Sequence, residues 1–479
     1  MEKSLIKNYL YNILFQILKV ILPIFTVPYL LNHVGPKHLG ISDYIGSVTS
    51  WFIIFALMGI NIYGNRTIAA VRDDKEKLSK TFTEIFSLQV INLTICLILY
   101  ILNIIFFIKE YHLFYLLHIG AFINSALDVS WALYGMELFK YASLRNIIVK
   151  LLIVLAIFTL VKTPNDLWVL MLIYAIGEFF GNLILFKELN KYLKFVKIDI
   201  KKAYLKHIPA TLVLFIPTIA INIYTILDKT MLGYLIDDKS YVSLYNFSQN
   251  FIKIFLYFIT SIGTIMLPRI TNTLYSKKNS KEIMEKYLNT TLKLAIGLSL
   301  PMLVGIICVT SPFVLWYLPK QTYIGDLIIY SSPIILLISL SNVFGIQFMI
   351  PNGLNKAYSF SVTMGALINF LFNIILIPRL YALGATISSI LAELSVTMIQ
   401  YFFIYKKIKF KLSMDYLKYA LASLVMALII YPIGNFLSPR PLTTFIQCIS
   451  GVISYAIILI ITKESIMKTV LNKILKRGE

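Results

Sequence analysis

An apolar run from Asn8 to Val34 constrains this chain more than any other feature of its sequence. A helix of about 27 residues is roughly 40 Å long, enough to cross a hydrocarbon layer about 30 Å thick with some tilt. A polar stripe nevertheless follows one helical face, at spacings of four, three, four and three residues: Asn12, Gln16, Lys19, Pro23 and Thr26. A lysine at mid-bilayer costs at least about 2.5 kcal/mol, so the stripe is predicted to face other helices or a watery cavity.

The composition extends this membrane character to the whole chain. The 479 residues are 58% hydrophobic and 14% charged, with a mean hydropathy of +0.79, values typical of a polytopic membrane protein rather than a soluble enzyme. Because the apolar runs are long and continuous, we expect helices and not barrel strands. The first run is too long for the apolar part of a signal peptide and no small-residue cleavage site follows it, so we expect it to remain as a spanning helix.

Fourteen transmembrane helices are predicted, with the following bounds: 8–34, 43–65, 81–107, 113–136, 146–162, 167–187, 206–235, 242–268, 288–310, 324–350, 359–377, 383–405, 415–437 and 442–462. Connections on alternate sides differ strongly in charge, since one side carries about 31 Lys and Arg residues and the other carries seven. The positive-inside rule then places both termini in the cytoplasm. Basic connections beside anionic lipid headgroups account for the net charge of +21 without a nucleic acid partner.

An internal repeat predicts the domain organisation. The run from 207 to 232 again places polar residues on one helical face, and charged connections close the first hairpin of each half. Two bundles with an even number of spans are expected to be parallel repeats about an axis along the membrane normal. The prediction is a six-helix bundle in 1–187, a cytoplasmic linker in 188–205, a second six-helix bundle in 206–405, and two further helices with a cytoplasmic tail in 406–479.

Ionisable and amide side chains inside the predicted spans are the candidate binding residues. Lys19 and Lys253 lie near mid-depth in the two halves, and lysines beside a cavity suit an anionic substrate such as a diphosphate. The alternative is that each lysine is neutralised inside a packed bundle. The remaining candidates for the cavity wall are Gln16, Asn12, Asn222, Lys229 and Gln249.

Three carboxylates within spans are candidates for ion coupling: Asp128, Glu178 and Glu393. An acid at this depth suits proton or sodium binding, although a structural ion pair is the commoner outcome. The sequence has no phosphate-binding loop, nucleophile motif or metal-ligand spacing. We therefore expect a transporter without cofactors, apart from H⁺ or Na⁺ coupling, and not an enzyme.

Four segments, spread over the first twelve spans, carry a resemblance to a known family: 28–44, 63–82, 126–150 and 369–396. They resemble the Wzx-type polysaccharide flippases of the multidrug/oligosaccharidyl-lipid/polysaccharide exporter superfamily. The resemblance implies two six-helix bundles around a central cationic cavity, with spans 13 and 14 peripheral. Lipid II flippases, which are relatives, use arginines in that cavity, whereas this chain has lysines at mid-depth.

The resemblance also implies a function. It implies alternating-access translocation of undecaprenyl-diphosphate-linked oligosaccharide units to the outer leaflet of the bacterial cytoplasmic membrane, for capsule, exopolysaccharide or O-antigen synthesis. The partners would be the lipid bilayer and a glycan polymerase and glycosyltransferases of the same pathway. A cation-coupled small-molecule antiporter of the same fold is the alternative. A membrane glycan polymerase or acyltransferase is disfavoured, because the predicted outer connections are short and carry no catalytic cluster.

Overall fold

The structure is a computed structural model that describes residues 18, 21–276, 280–405 and 413–468. Within these ranges every regular element is a helix, which confirms the all-helical membrane fold. Ten helical segments of the described residues are long and apolar enough to cross a membrane. The count of fourteen transmembrane helices stays a prediction.

The chain divides into two compact units, Met1–Ser243 and Leu244–Glu479. The long helix after the linker is therefore part of the first unit, although the repeat assigns it to the second bundle. The predicted boundaries at 187, 205 and 405 were drawn from the repeat, and they stay a prediction.

The described helices of the first unit are α1 (21–33), α2 (Pro36–Leu57), α3 (Ile60–Val71), α4 (Lys75–Phe107), α5 (His112–Leu117), α6 (Ile119–Leu127), α7 (Ser130–Gly135), α8 (Phe139–Leu160), α9 (Leu167–Leu189) and α10 (Ile200–Leu235). Local chemistry sets several of these bounds. The Asp74 carboxylate accepts the backbone N–H groups of Glu76 and Lys77 at the start of α4, and Asp199 accepts from Lys202 at the start of α10. Such side chains satisfy N–H groups that have no partner within the helix.

Two predicted spans of the first unit are interrupted. Span 2 breaks between α2 and α3, where Met58 and Gly59 have positive φ angles of 41° and 78°. Span 4 is divided into α5, α6 and α7, with non-helical backbone at Asp128. Interruptions at membrane depth are tolerated only where protein or water satisfies the freed backbone groups. We therefore expect both breaks to lie against protein or water and not against lipid.

The described helices of the second unit are α11 (Ser240–Ser276, which begins four residues before the unit boundary), α12 (Ser280–Tyr317), α13 (Tyr323–Ser331), α14 (Pro333–Ser341), a π-helical turn (Asn342–Met349), α15 (Asn355–Tyr405), α16 (Asp415–Phe436) and α17 (Pro441–Ile461). Helix α15 contains predicted spans 11 and 12, which meet at Tyr381 with φ 54° and ψ −130°. The two helices outside the repeat, α16 and α17, pack on each other and on α12.

Apolar clusters hold each unit together. In the first unit one cluster joins α2, α4, α8 and α9 around Tyr100, and another joins α3, α4 and α7 around Phe82 and Trp131. In the second unit a cluster around Phe344 joins α12, the π-helical turn and α15. Apolar side chains also cover much of the outer surface of both units, as expected for helices that face lipid.

Candidate functional site

A polar cavity of about 410 Å³ lies inside the first unit, between α2, α5, α6, α8 and α9. Its volume lies within the range of small-molecule sites, about 300 to 1,000 Å³. The imidazole, amide and charged side chains in its wall lie on α6, α8 and α9, at the junction of α5 and α6, and on the break after α6: His118, Asn124, Asp128, Arg145, Glu178 and Asn182. Two of the three predicted coupling acids, Asp128 and Glu178, are thus brought to one site.

An ion pair forms one wall of the cavity. Nη2 of Arg145 on α8 lies 3.0 Å from Oε2 of Glu178 on α9, and the same nitrogen donates to Oδ1 of Asn182 at 2.5 Å. The arginine side chain is only 8% exposed, whereas that of Glu178 is 36% exposed. The arginine can cross α9 this closely because residue 181 is glycine, where a Cβ atom would lie 2.5 Å from Arg145 Nε. The pair therefore has a buried cation and a carboxylate that is accessible from the cavity.

Two asparagines connect the α6 side of the cavity to α9. The Asn124 amide donates to the Ala175 carbonyl at 3.0 Å, and the Asn182 amide donates to the Asn124 carbonyl at 2.9 Å. Three buried polar atoms of the lining residues have no hydrogen-bond partner among the described residues: His118 Nε2, Asn124 Oδ1 and Arg145 Nε. Buried polar atoms are usually paired, so this wall has unused hydrogen-bonding capacity.

Asp128 lies at the break between α6 and α7, and its Oδ1 accepts the Ser130 backbone N–H at 2.9 Å. Gln89 of α4 stabilises the break, because its amide donates to the carbonyls of Ser125 and Asp128 at 2.7 and 3.1 Å. Its own carbonyl accepts the Trp131 indole N–H at 2.9 Å. No Lys, Arg or His among the described residues forms a salt bridge with Asp128, whereas Glu178 pairs with Arg145.

The other predicted site residues are more scattered. Lys19, Gln16 and Asn12 lie outside the described residues. Half-buried positions are taken by the remaining candidates, Asn222 and Lys229 on α10, Lys253 and Gln249 on α11, and Glu393 on α15. The Gln249 amide donates to the Ser331 hydroxyl at 3.0 Å. The assignment of these residues to a substrate cavity stays a prediction.

Sequence reasoning missed Arg145 and Gln89. It placed 137–145 in a cytoplasmic connection, whereas α8 begins at Phe139 and carries Arg145 almost two turns into the helix. Nothing in the sequence singled out Gln89, because one amide side chain in an apolar span is common. An earlier helix start would have placed Arg145 inside span 5, where an arginine indicates a buried partner.

An apolar cavity of about 650 Å³ lies in the second unit, between α11, α12, α16 and α17. Its wall is formed mainly by aliphatic and aromatic side chains, and Lys293 and Glu464 belong to its few charged residues. Lys293 lies 2.6 Å from Asp415 Oδ2. The cavity therefore offers an apolar surface with a charged cluster at its edge.

Glu464 belongs to this edge, after the end of α17, and is 1% exposed. It accepts the Tyr419 hydroxyl at 2.6 Å and the backbone N–H groups of Ile466 and Met467 at 2.9 and 2.8 Å. Burial raises the pKa of its carboxyl, but the hydrogen bonds outweigh burial, so the pKa lies below its ordinary value.

The described residues contain no group of three or more His, Cys, Asp or Glu side chains that could hold a metal ion. The polar cavity combines two carboxylates with amide oxygens. Such oxygen donors suit a proton or a hard monovalent or divalent cation better than a transition metal.

Comparisons with known proteins agree with this architecture. The family model described as "Polysaccharide biosynthesis protein" matches residues 5–274, and the model described as "MatE" matches residues 214–378. Two proteins named "Putative O-antigen transporter" are 25% identical to the chain. The one from Escherichia coli (strain K12) matches over 84% of this chain and 97% of its own length, and the one from Shigella dysenteriae over 71% and 85%.

Two solved structures share the fold. A lipid II flippase MurJ structure has a TM-score of 0.76 at 19% identity and covers 96% of this chain and 100% of its own. A multidrug resistance MATE family transporter has a TM-score of 0.53 at 16% identity, with 85% and 95% coverage.

The family assignment follows from the length of the first match, which spans more than half of the chain. It agrees with the resemblance seen in the four sequence segments. The protein therefore belongs to the polysaccharide biosynthesis protein family and is a membrane transporter of the Wzx type within the multidrug/oligosaccharidyl-lipid/polysaccharide exporter superfamily.

Proposed function

We propose that this transporter moves undecaprenyl-diphosphate-linked oligosaccharide units from the cytoplasmic to the outer leaflet of a bacterial plasma membrane. The observation that carries the proposal is the match to the Escherichia coli relative, which spans 84% of this chain and 97% of that protein. The charge asymmetry of the connections supports an orientation with both termini in the cytoplasm. O-antigen, capsule or exopolysaccharide units would be the cargo, supplied by glycosyltransferases and consumed by a glycan polymerase.

The two parts of such a substrate need different surroundings. A diphosphate and its glycan need cations and hydrogen-bond donors, for which Lys253, Lys229, Asn222 and Gln249 are the described candidates, with Lys19, Gln16 and Asn12 in the first span. The polyprenyl chain needs apolar surface. The apolar cavity of the second unit, with Lys293 at its edge, supports that requirement.

For the energy source we propose that Asp128 carries the coupling ion. Glu178 already forms an ion pair with Arg145, at 3.0 Å, and we assign it a structural role in the cavity wall. Asp128 lines the same cavity without a cationic partner among the described residues. A carboxylate at a helix break, beside amide oxygens, can bind a proton or Na⁺ and release it when the cavity changes its access. Glu393 remains a second candidate.

The test is complementation of a strain that lacks its own O-antigen flippase, read as surface O-antigen. Lys253→Ala and Lys19→Ala are expected to abolish export while the protein remains in the membrane. Lys253→Arg is expected to retain export, because a cation is kept. Lys320→Ala removes an exposed lysine of a predicted outer connection and is the matched control. Normal export by both alanine variants would overturn the cationic site.

A cation-coupled small-molecule antiporter is the second candidate function. The carboxylates of the polar cavity and the MatE match over 214–378 favour it. It predicts efflux of organic cations from cells that express the protein, with no gain of surface glycan in the complementation assay. Surface glycan without efflux would exclude it.

A further inference from the structure

A second cluster of charged side chains, with a buried centre, lies in the first unit and shares no residue with the polar cavity. Oε2 of Glu84 on α4 lies 2.6 Å from Nζ of Lys206 and 2.9 Å from Nε2 of His207, both on α10. Nδ1 of His207 is in turn 2.6 Å from the hydroxyl oxygen of Tyr63 on α3. Because a carboxylate only accepts, the His207 Nε2–H group donates to Glu84. The cluster thus joins three helices through one continuous chain of polar contacts.

The members of this cluster differ sharply in exposure. The side chains of His207 and Glu84 are 1% and 7% exposed, whereas that of Lys206 is 57% exposed. Lys206 is therefore the member of the cluster that is open at the surface of the unit, whereas the contact between Glu84 and His207 is enclosed. Water can compete for Lys206 directly, and it reaches the inner contact only when the helices separate.

The connection that leads into α10 is attached to the same helix, α4. The backbone N–H groups of Lys194 and Val196 donate to the hydroxyl oxygens of Ser79 and Thr83, at 3.2 and 3.3 Å. The Phe195 ring packs edge-on against Phe82, with centroids 5.5 Å apart. The predicted linker is thus packed on α4, and this packing fixes where α10 begins relative to the cluster.

One further polar contact follows on α10, where the Tyr204 hydroxyl donates to Asn92 Oδ1 at 3.0 Å. Helices in a bilayer gain no hydrophobic driving force from packing against each other, so packing detail and hydrogen bonds hold them together. The first two turns of α10 are therefore held against α3 and α4 by these polar contacts together with the packing of Tyr204 on the apolar cluster around Phe82 and Trp131. Polar contacts near an aqueous boundary can be exchanged for water.

Helix α10 has one place in the sequence repeat and another in the structure. Helix α10 is predicted to open the second bundle, yet in the structure it is part of the first unit. In a two-bundle transporter that works by alternating access, the two repeats move against each other, so we expect a helix of one repeat that is docked on the other to change its contacts during the cycle. The cluster is one of the contacts that hold α10 in the first unit, beside its packing on α2.

We propose that Glu84, Lys206 and His207 form a latch that holds the cytoplasmic end of α10 against α3 and α4 in one state and opens in another. This inference rests on the proposed alternating-access function. The latch contributes no substrate contact. Its role is to position α10 and to set how often the first unit releases it.

The test measures opening directly, without any substrate. Thr211 lies one turn after His207 on α10 and is 0% exposed. A Thr211→Cys variant is made in a background in which the three native cysteines, Cys96, Cys308 and Cys448, are replaced by alanine. Inside-out membrane vesicles that contain the full chain are treated with a water-soluble maleimide, and labelling is followed by mass spectrometry. Slow labelling is expected with the latch intact, and at least about tenfold faster labelling with Glu84→Gln, because charge-assisted hydrogen bonds are lost.

Matched variants separate a latch from a general loss of structure. Glu76→Gln makes the same substitution at an exposed site on the same helix, and it should change the labelling rate less than twofold. Tyr63→Phe keeps the ring and should accelerate labelling a few-fold. Thr49→Cys on α2, which is 1% exposed, should stay unlabelled in the Glu84→Gln background.

Three results would overturn the latch. These are labelling of Thr211→Cys that is absent in all variants, equal acceleration by Glu76→Gln, or equal labelling at Thr49→Cys. The first would make the cluster a permanent structural contact. Because none of these readouts depends on export, a failed complementation assay and a failed latch can be told apart.

Discussion

Replacement of Glu178 by glutamine should destabilise the protein, because it leaves the buried cation of Arg145 without a charged partner. The substitution keeps the size of the side chain and removes its charge, which leaves the Arg145 guanidinium, 8% exposed, with only neutral partners. Breaking a buried ion pair by removal of one partner costs about 3 to 5 kcal/mol. The carboxylate is 36% exposed to the cavity, so solvent screening lowers the expected cost to about 2 to 3 kcal/mol.

This cost can be read as a thermal shift. In a unit of roughly 240 residues, 1 kcal/mol corresponds to about 2 to 4 °C in Tm, so Glu178→Gln should lower the apparent Tm by roughly 5 to 10 °C. The measurement is fluorescence-detected unfolding in detergent at one scan rate, because membrane proteins often unfold irreversibly.

The double variant tests the physical reason. Adding Arg145→Met removes the stranded cation, so the double variant should lose clearly less than the sum of the two single losses, with a coupling of about 1 kcal/mol or more. Glu137→Gln, at a half-exposed carboxylate that pairs with Arg72, should leave the Tm unchanged within error. If the two losses simply add, Arg145 and Glu178 do not act as a buried pair, and the structural role assigned to Glu178 is wrong.

Three further predictions follow from other positions. Asp128→Asn should abolish the dependence of export on the ion gradient, measured in energised vesicles, and should change the Tm by less than about 2 °C because it breaks no ion pair. Loss of folding, or an unchanged dependence on the gradient, would contradict this. Gly40→Ala should lower the apparent Tm by several degrees, because a Cβ atom there would lie 1.7 Å from the Lys239 carbonyl oxygen, and overpacking costs about 1 to 3 kcal/mol; Gly305→Ala, with its nearest neighbour at 3.9 Å, is the control. Glu464→Gln should lower the Tm at pH 7, and the difference from the parent should shrink as the pH falls below the ordinary carboxyl pKa of 4.5, because a lowered pKa stabilises the fold only while the group is charged. A difference that stays constant from pH 7 down to about pH 3 would disprove this.

Much of the site could be predicted from the sequence. Asp128 and Glu178 stand out as acids in apolar runs, and such positions are costly unless they face a partner or a cavity. Their partners did not stand out. Arg145 lies at the predicted edge of a span, where a basic residue is normally a topology signal, and Gln89 contacts residues 36 to 39 positions away.

The latch was hidden for the same reason. Glu84, Lys206 and His207 each lie near the end of a span that is predicted to face the cytoplasm, where charged residues are common and cost little. Only the approach of α10 to α4, across more than 120 positions of sequence, brings these three residues together and buries Glu84 and His207. The interruptions at Met58 and Asp128 were missed as well, because hydropathy reports apolar length and not backbone continuity.

The sequence by itself determined that the chain is a bundle of membrane helices, which family it belongs to, and which acids in the spans need an explanation. These properties depend on local composition and spacing, because a bilayer admits so few backbone arrangements. The tertiary structure decided which charges meet, that Glu178 has a cation while Asp128 faces the cavity, and that α10 is docked on α4. Pairing between distant helices is set by packing across the whole unit, and helical periodicity carries no information about it.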